Sequence, residues 1–161
     1  MATINHLPFV LKLVTALGCG LVAGVFFAFS TFVMSALARL QPQQGITAMQ
    51  SINITAINPL FMTALFGTAA ACLFLTIYSL SKWHQPGTTY LLIGTCFYLV
   101  GILVTIVFNV PLNEALATVK PDSTDGAELW ASYLTNWTFW NHIRTVTALL
   151  AAAAFTLAIG S

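Results

Sequence analysis

The sequence predicts an all-α fold, a transmembrane up-down four-helix bundle, on three observations. Of its 161 residues 58% are hydrophobic and 6% charged, where a soluble domain carries about a quarter. Its mean hydropathy is +0.89. The apolar residues gather into four runs of spanning length, about 20 residues each, parted by segments that hold most of the prolines and charges. A chain of this length makes one domain, 1–161, with no room for a separate soluble one. It is read as a multi-pass integral membrane protein, in a bacterial plasma membrane rather than an organelle, whose first partner is the lipid bilayer. The net charge of +1 lacks the basic face that a nucleic-acid partner requires. A homo-oligomer is left open.

The first span covers about 10–38, too long and too little charged at its start for a cleaved signal peptide. Ala16, Gly20, Gly24 and Ala28 recur every fourth residue, a small-residue seam suited to close helix approach. The phenylalanines beyond it, Phe29 among them, are either core filler or the wall of a pocket. Pro42 and Gly45 break the chain around the start of a short interfacial helix, about 43–57, which carries Gln50 and Asn53. Pro59 holds Asn58 extended and suits the first turn of the second span, about 60–80. Lys82 and Trp83 in the following turn are interfacial anchors, and His84 beside them is a solvated residue.

The third span, about 88–110, ends in Asn109-Val110-Pro111-Leu112-Asn113. Pro111 has no N–H for the carbonyl of Val107, so the backbone loosens there. Asn109 and Asn113, four apart, share a face; they either cap their own helix end or present amides to a ligand. Asp125-x-x-Glu128 reads as a capping box with Asp125 as the cap. The last helix then begins near 126 and crosses the membrane over about 137–159. Cys19, Cys72 and Cys96 sit in separate apolar runs without Cys-x-x-Cys spacing, as packing residues that form neither a disulfide nor a metal site.

The last helix carries the densest chemistry. At about 100° per residue Trp137, Trp140, Asn141 and Arg144 fall on one face, with Tyr133 a turn earlier and His142 pointing elsewhere. Arg144 lies inside the apolar segment, where an arginine costs about 2.5 to 3.5 kcal/mol. It therefore either faces polar partners inside the bundle or snorkels to the near interface. In an up-down bundle the end of span one, start of span two, end of span three and start of span four share a membrane face. That brings Asn53, Asn58, Asn109, Asn113, Trp137, Trp140, Asn141, His142 and Arg144 to one end and leaves Lys12, Lys82 and His84 at the other. Such one-ended clustering is what a pocket open to an interface would look like.

A di-iron bundle needs carboxylates on its spans, and all four acids lie in or beside the third connection. A thiol-disulfide quinone reductase needs Cys-x-x-Cys, and a proton-coupled exporter needs an intramembrane carboxylate. A b-type haem between His84 and His142 is the lesser alternative, because the two lie at opposite faces.

The runs GLVAGVFFAFSTFVM, GITAMQSINITAINPLF, NVPLN and LWASYLTNWTFWNHIRT resemble the anthrone oxygenase-like membrane proteins, a broad family mostly of unassigned function. Asn53, Pro59, Asn109, Pro111, Asn113, Trp140, Asn141 and Arg144 carry the resemblance. It implies oxidation of an electron-rich phenolic or polycyclic aromatic to a quinone, with molecular oxygen as co-substrate and neither a metal nor an organic cofactor. In such a site Arg144, Asn109, Asn113 and Asn141 would hold a developing oxyanion. Trp137, Trp140, Asn53 and Phe29 would bind the rings, and His142 would be the base, with Glu114 as its rival. The alternative is a noncatalytic membrane protein that binds or transports a small hydrophobic molecule, its polar groups forming a structural network between helices.

Overall fold

The computed structural model describes residues 6–81 and 87–161, with side chains from Pro8 onward; Lys82, Trp83 and His84 fall outside the described residues. Its regular structure there is helical throughout: α1 (Pro8–Leu37), α2 (Pro42–Ala56), α3 (Pro59–Leu80), α4 (Thr88–Thr118) and α5 (Thr124–Gly160). All but α2 are long and apolar enough to cross a membrane. The protein is a multi-pass integral membrane protein built as a helical bundle. Short connections force successive spans to run antiparallel. α5 packs along both α1 and α4, and α3 closes the ring between them.

Each helix end has a local chemical cause. Asn58 stays extended (φ −117°, ψ 156°) before Pro59, and its Oδ1 accepts from the Phe61 N–H at 3.0 Å, so this asparagine caps α3 and is occupied locally. The expected capping box at Asp125 is not used. Ser123 is the cap of α5, its Oγ accepting from the Gly126 N–H at 3.0 Å, because its extended backbone aims the hydroxyl at the first free N–H groups. Gln50 on α2 donates from Nε2 to the carbonyls of Leu116 (2.8 Å) and Val119 (3.1 Å). This satisfies orphaned acceptors at the end of α4 and ties α2 across the bundle end. At the far end Lys12 Nζ donates to the carbonyl of Ala158 at 2.8 Å, where a cation favours a helix C-terminus.

Three spans contain a π-helical turn: Phe29–Val33 in α1, Thr63–Gly67 in α3 and Thr105–Asn109 in α4. By topology all three lie toward the same end. The α4 turn ends two residues before Pro111, with the Val110 N–H reaching back five residues to the carbonyl of Thr105. A proline ring crowds the preceding turn and removes a donor, and one wider turn absorbs both. The helix then continues through Pro111 to Thr118. Carbonyls near these turns find partners on other helices: Tyr98 Oη donates to Leu65 O at 2.9 Å, and Asn141 Nδ2 donates to Phe26 O at 2.7 Å.

The small-residue seam of α1 faces outward at its two glycines, while Ala16 at its start is buried in the core. Gly20 and Gly24 are exposed, and no atom of another helix lies within 4 Å of where their Cβ would stand. Tight approach falls instead at Gly18, whose missing Cβ leaves room for the Thr68 side chain, and at Gly94, where a Cβ would sit 2.9 Å from Phe155 Cε2. A spacing of four marks a face without saying which way it turns.

The buried residues form two cores. One, inside the span region, gathers Phe26, Leu65, Cys72, Tyr98, Ala151 and Phe155 with their neighbours. The other gathers Met34, Ile46, Met49, Leu116, Trp130, Tyr133 and Trp137, where α2 and the first half of α5 build a cap over one end. Phe26 belongs to the first and Trp137 to the second. The polar residues lie at the seam between them.

Candidate functional site

α5 builds the site because buried residues recur along it at steps of three or four: Trp130, Tyr133, Trp137, Asn141, Arg144, Ala148, Ala151, Phe155, Ala158. That spacing keeps one face turned toward neighbouring helices along the whole length. Arg144 lies sixteen residues from the end of α5, about 24 Å at 1.5 Å per residue, and so inside a hydrocarbon layer of roughly 30 Å. It does not snorkel. Arg144 is 7% exposed, with its guanidinium carbon 3.8 Å from the centroid of the Phe26 ring and 5.6 Å from that of Trp137. Its Nε has no hydrogen-bond partner. The four acidic residues, Glu114, Asp122, Asp125 and Glu128, are all exposed, so no carboxylate neutralises the buried cation among the described residues.

Three asparagines bond to Phe26 or Trp137, the two residues whose rings meet the guanidinium, each oriented by a partner that only one end of the amide can satisfy. Asn141, fully buried, donates from Nδ2 to the Phe26 carbonyl at 2.7 Å and to Ser30 Oγ at 2.8 Å. Asn109, equally buried, donates from Nδ2 to the Trp137 carbonyl at 3.2 Å. Asn113 accepts at Oδ1 from both Tyr133 Oη and Trp137 Nε1, each at 2.8 Å. With the Nδ2 atoms of Asn109 and Asn141 committed to carbonyls, their Oδ1 atoms face the interior as acceptors, and neither has a partner. Asn53 of α2 brings its amide toward the Tyr133 hydroxyl, yet its buried Nδ2 makes no well-formed hydrogen bond. With the Arg144 Nε, two acceptors and two donors are thus buried and unmatched, as is the Thr138 hydroxyl. Native structures rarely leave such groups unpaired without a role.

Aromatic rings wall this layer of polar groups. Phe29 packs against Trp137 at 5.6 Å between centroids, and Tyr133 stacks between Trp130 and Trp137. Trp140 is placed differently: it stacks on Phe108 of α4 at 3.6 Å and 7°, so it pairs with a ring of the chain itself rather than facing Trp137. His142 is exposed and lines a shallow apolar groove with Ile143, Val146 and Thr147, away from the guanidinium. Glu114 is exposed on α4. The structure therefore gathers Arg144, Asn141, Asn109, Asn113, Asn53, Trp137 and Phe29, and leaves His142, Glu114 and Trp140 outside the layer.

The sequence assigns no role to Phe26 or Ser30, and Tyr133 stands on the stripe without one. Phe26 floors the guanidinium and lends its carbonyl to Asn141; Ser30 meets both Asn141 and Thr145, the latter at 3.0 Å. Tyr133 completes the Asn113 bridge. Phe26 and Ser30 sit four apart on α1, as do Tyr133 and Trp137 on α5, and only the partner helix shows which fours matter.

A family model described as anthrone oxygenase matches residues 54–154, the greater part of the chain. The chain belongs to the anthrone oxygenase family. The match spans α3, α4 and most of α5, and so includes Asn109, Asn113, Trp137, Asn141 and Arg144. Asn53, Phe26 and Phe29 lie before its start, which leaves the α1 and α2 side of the layer to the geometry of this anthrone oxygenase-family chain alone. No curated protein and no solved structure matches the chain.

Proposed function

We propose that the chain is a membrane-embedded oxygenase that oxidises an electron-rich phenolic or polycyclic aromatic with molecular oxygen and without a resident cofactor. The observation that carries this reading is Arg144: a buried guanidinium with an unpaired Nε, against the rings of Phe26 and Trp137, whose carbonyls hold the Asn141 and Asn109 amides. Family membership points the same way. An anthrone-type ring CH₂ loses a proton to give an electron-rich enolate. Molecular oxygen adds at that carbon to form a hydroperoxide, and loss of water leaves the new carbonyl. One oxygen atom enters the product and the other leaves in water.

The residues supply what that sequence demands. Arg144 Nε and Asn53 Nδ2 are donors for the oxyanion, fixed before the charge develops, which is where electrostatic catalysis gains most. The Oδ1 atoms of Asn109 and Asn141 accept from ring hydroxyls, and Phe29 and Trp137 offer flat apolar walls. His142 has no place in this arrangement.

A second reading, a noncatalytic binder or transporter of a small hydrophobic molecule, draws on Asn113 and Asn141, whose hydrogen bonds already tie helices together. Purified protein incubated with an anthrone separates the two. The oxygenase reading expects quinone absorbance to rise with oxygen uptake in equal molar amounts. Binding of the anthrone with no quinone formed above the protein-free rate selects the noncatalytic reading.

A further inference from the structure

We infer that the site binds its phenolic ligand as an anion, with the proton leaving for bulk water on binding. This rests on the reading of the layer as a pocket for a planar phenolic molecule and adds the ligand's charge state. A lone cation in a low-dielectric interior is costly until an opposite charge joins it, and Arg144 is such a cation. Among the described residues, none of the elements packed around it supplies an anion, the four acids all being exposed. α1 presents Phe26 and Ser30, α2 presents Asn53, and α4 presents Asn109 and Asn113. α3 lies across the bundle from α5.

Tyr133, on α5 itself, is the one acid within electrostatic reach of Arg144, and it is held as a phenol. Its hydroxyl donates to Asn113 Oδ1, and that oxygen cannot turn away, because Trp137 Nε1 donates to the same atom. A tyrosinate there would face an amide oxygen head-on. The counter-ion place at Arg144 is therefore open to a ligand oxygen. When the ligand O–H breaks, its electron pair stays on that oxygen against the guanidinium. No described carboxylate or imidazole lines the layer to keep the proton, so it passes to solvent. For an anthrone the ionised group is the O–H of its enol tautomer, whose loss leaves the same enolate as proton loss from the ring CH₂, so the oxygen-reactive anion forms on binding without a protein base.

The test uses a monohydroxyanthraquinone, which is inert to further oxygenation and absorbs at longer wavelength when ionised, with its methyl ether as control. The detergent-solubilised full chain should show the ionised band at about one to three pH units below the free ligand's transition. It should also release about one proton per ligand bound in weakly buffered solution. Arg144→Met, checked for folding by its melting temperature, should bind at least tenfold more weakly and show no such band; Arg144→Lys, which keeps the charge, should retain the band and serves if the methionine variant does not fold. A ligand bound in its neutral form overturns the inference, as does an ionised band without proton release, since a protein group would then hold the proton. Quinone formation from an anthrone is measured separately. Turnover without the ionised band sinks this inference alone, and the band without turnover sinks the oxygenase reading alone.

Discussion

The Arg144 guanidinium rests 3.8 Å above the Phe26 ring while the Phe26 carbonyl accepts the Asn141 amide at 2.7 Å, so one residue of α1 places both the charge and its neighbouring amide on α5. The cation has aromatic contact, which offers on the order of 1–2 kcal/mol when desolvated, but no hydrogen-bonded anion. Its substitution should therefore affect chemistry more than folding.

Arg144→Lys keeps a charge and loses the planar fork. Turnover of an anthrone should fall by about 10²-fold or more, the scale of a lost oxyanion donor, with the melting temperature changed by only a few degrees. Arg144→Met should fold at least as well as the parent, because replacing an uncompensated buried charge with an apolar side chain is often neutral or stabilising. Thermal melts in one detergent, beside quinone formation, decide this; unchanged turnover in the lysine variant removes Arg144 from the mechanism.

Asn113 and Asn109 should separate stability from activity. Asn113→Ala strands the Tyr133 hydroxyl and the Trp137 indole N–H, at about 1–3 kcal/mol for each unpaired donor, and should lower the melting temperature clearly. Asn109→Ala removes one longer hydrogen bond to the Trp137 carbonyl, worth about 0.5–1.5 kcal/mol, together with an acceptor that no protein group uses. Its loss should appear mainly in ligand affinity. Equal destabilisation of both variants would count against a binding role for Asn109.

His142→Ala should leave turnover within about twofold of the parent, the range of an exposed substitution away from any network. A loss beyond tenfold, measured with saturating anthrone, would return the imidazole to the reaction.

Gly94→Ala tests the α4–α5 contact independently of the site. A methyl there would stand 2.9 Å from Phe155 Cε2 and 3.3 Å from Ala154 Cβ, so about 1–3 kcal/mol of stability should be lost to overpacking. Gly20→Ala on the outward face of α1, where no atom of another helix lies near, should melt like the parent. If Gly20→Ala is the more disruptive of the two, the seam meets a second chain.

The amino-acid sequence by itself determined the class and connectivity of this protein. Four long apolar runs and short loops admit little besides antiparallel spanning helices, and an arginine inside such a run must find a special environment. The motif residues around Trp137 and Arg144 were enough to indicate the family and the end of the bundle where the polar residues gather. What only the tertiary structure decided was orientation. Trp140 and Trp137 look equivalent on a helical wheel, yet Phe108 takes one and Phe29 the other. Asn58 and Asn109 look equally available, yet one amide turns back onto its own helix start and the other reaches across to α5. Gly20 and Gly18 differ by two positions, and only the second meets a neighbouring helix. These outcomes turn on which side-chain atom meets which partner across the bundle, set by helix rotation and by π turns that shift a helix's phase. Composition and periodicity describe a single helix, and the pairing of helices lies beyond them.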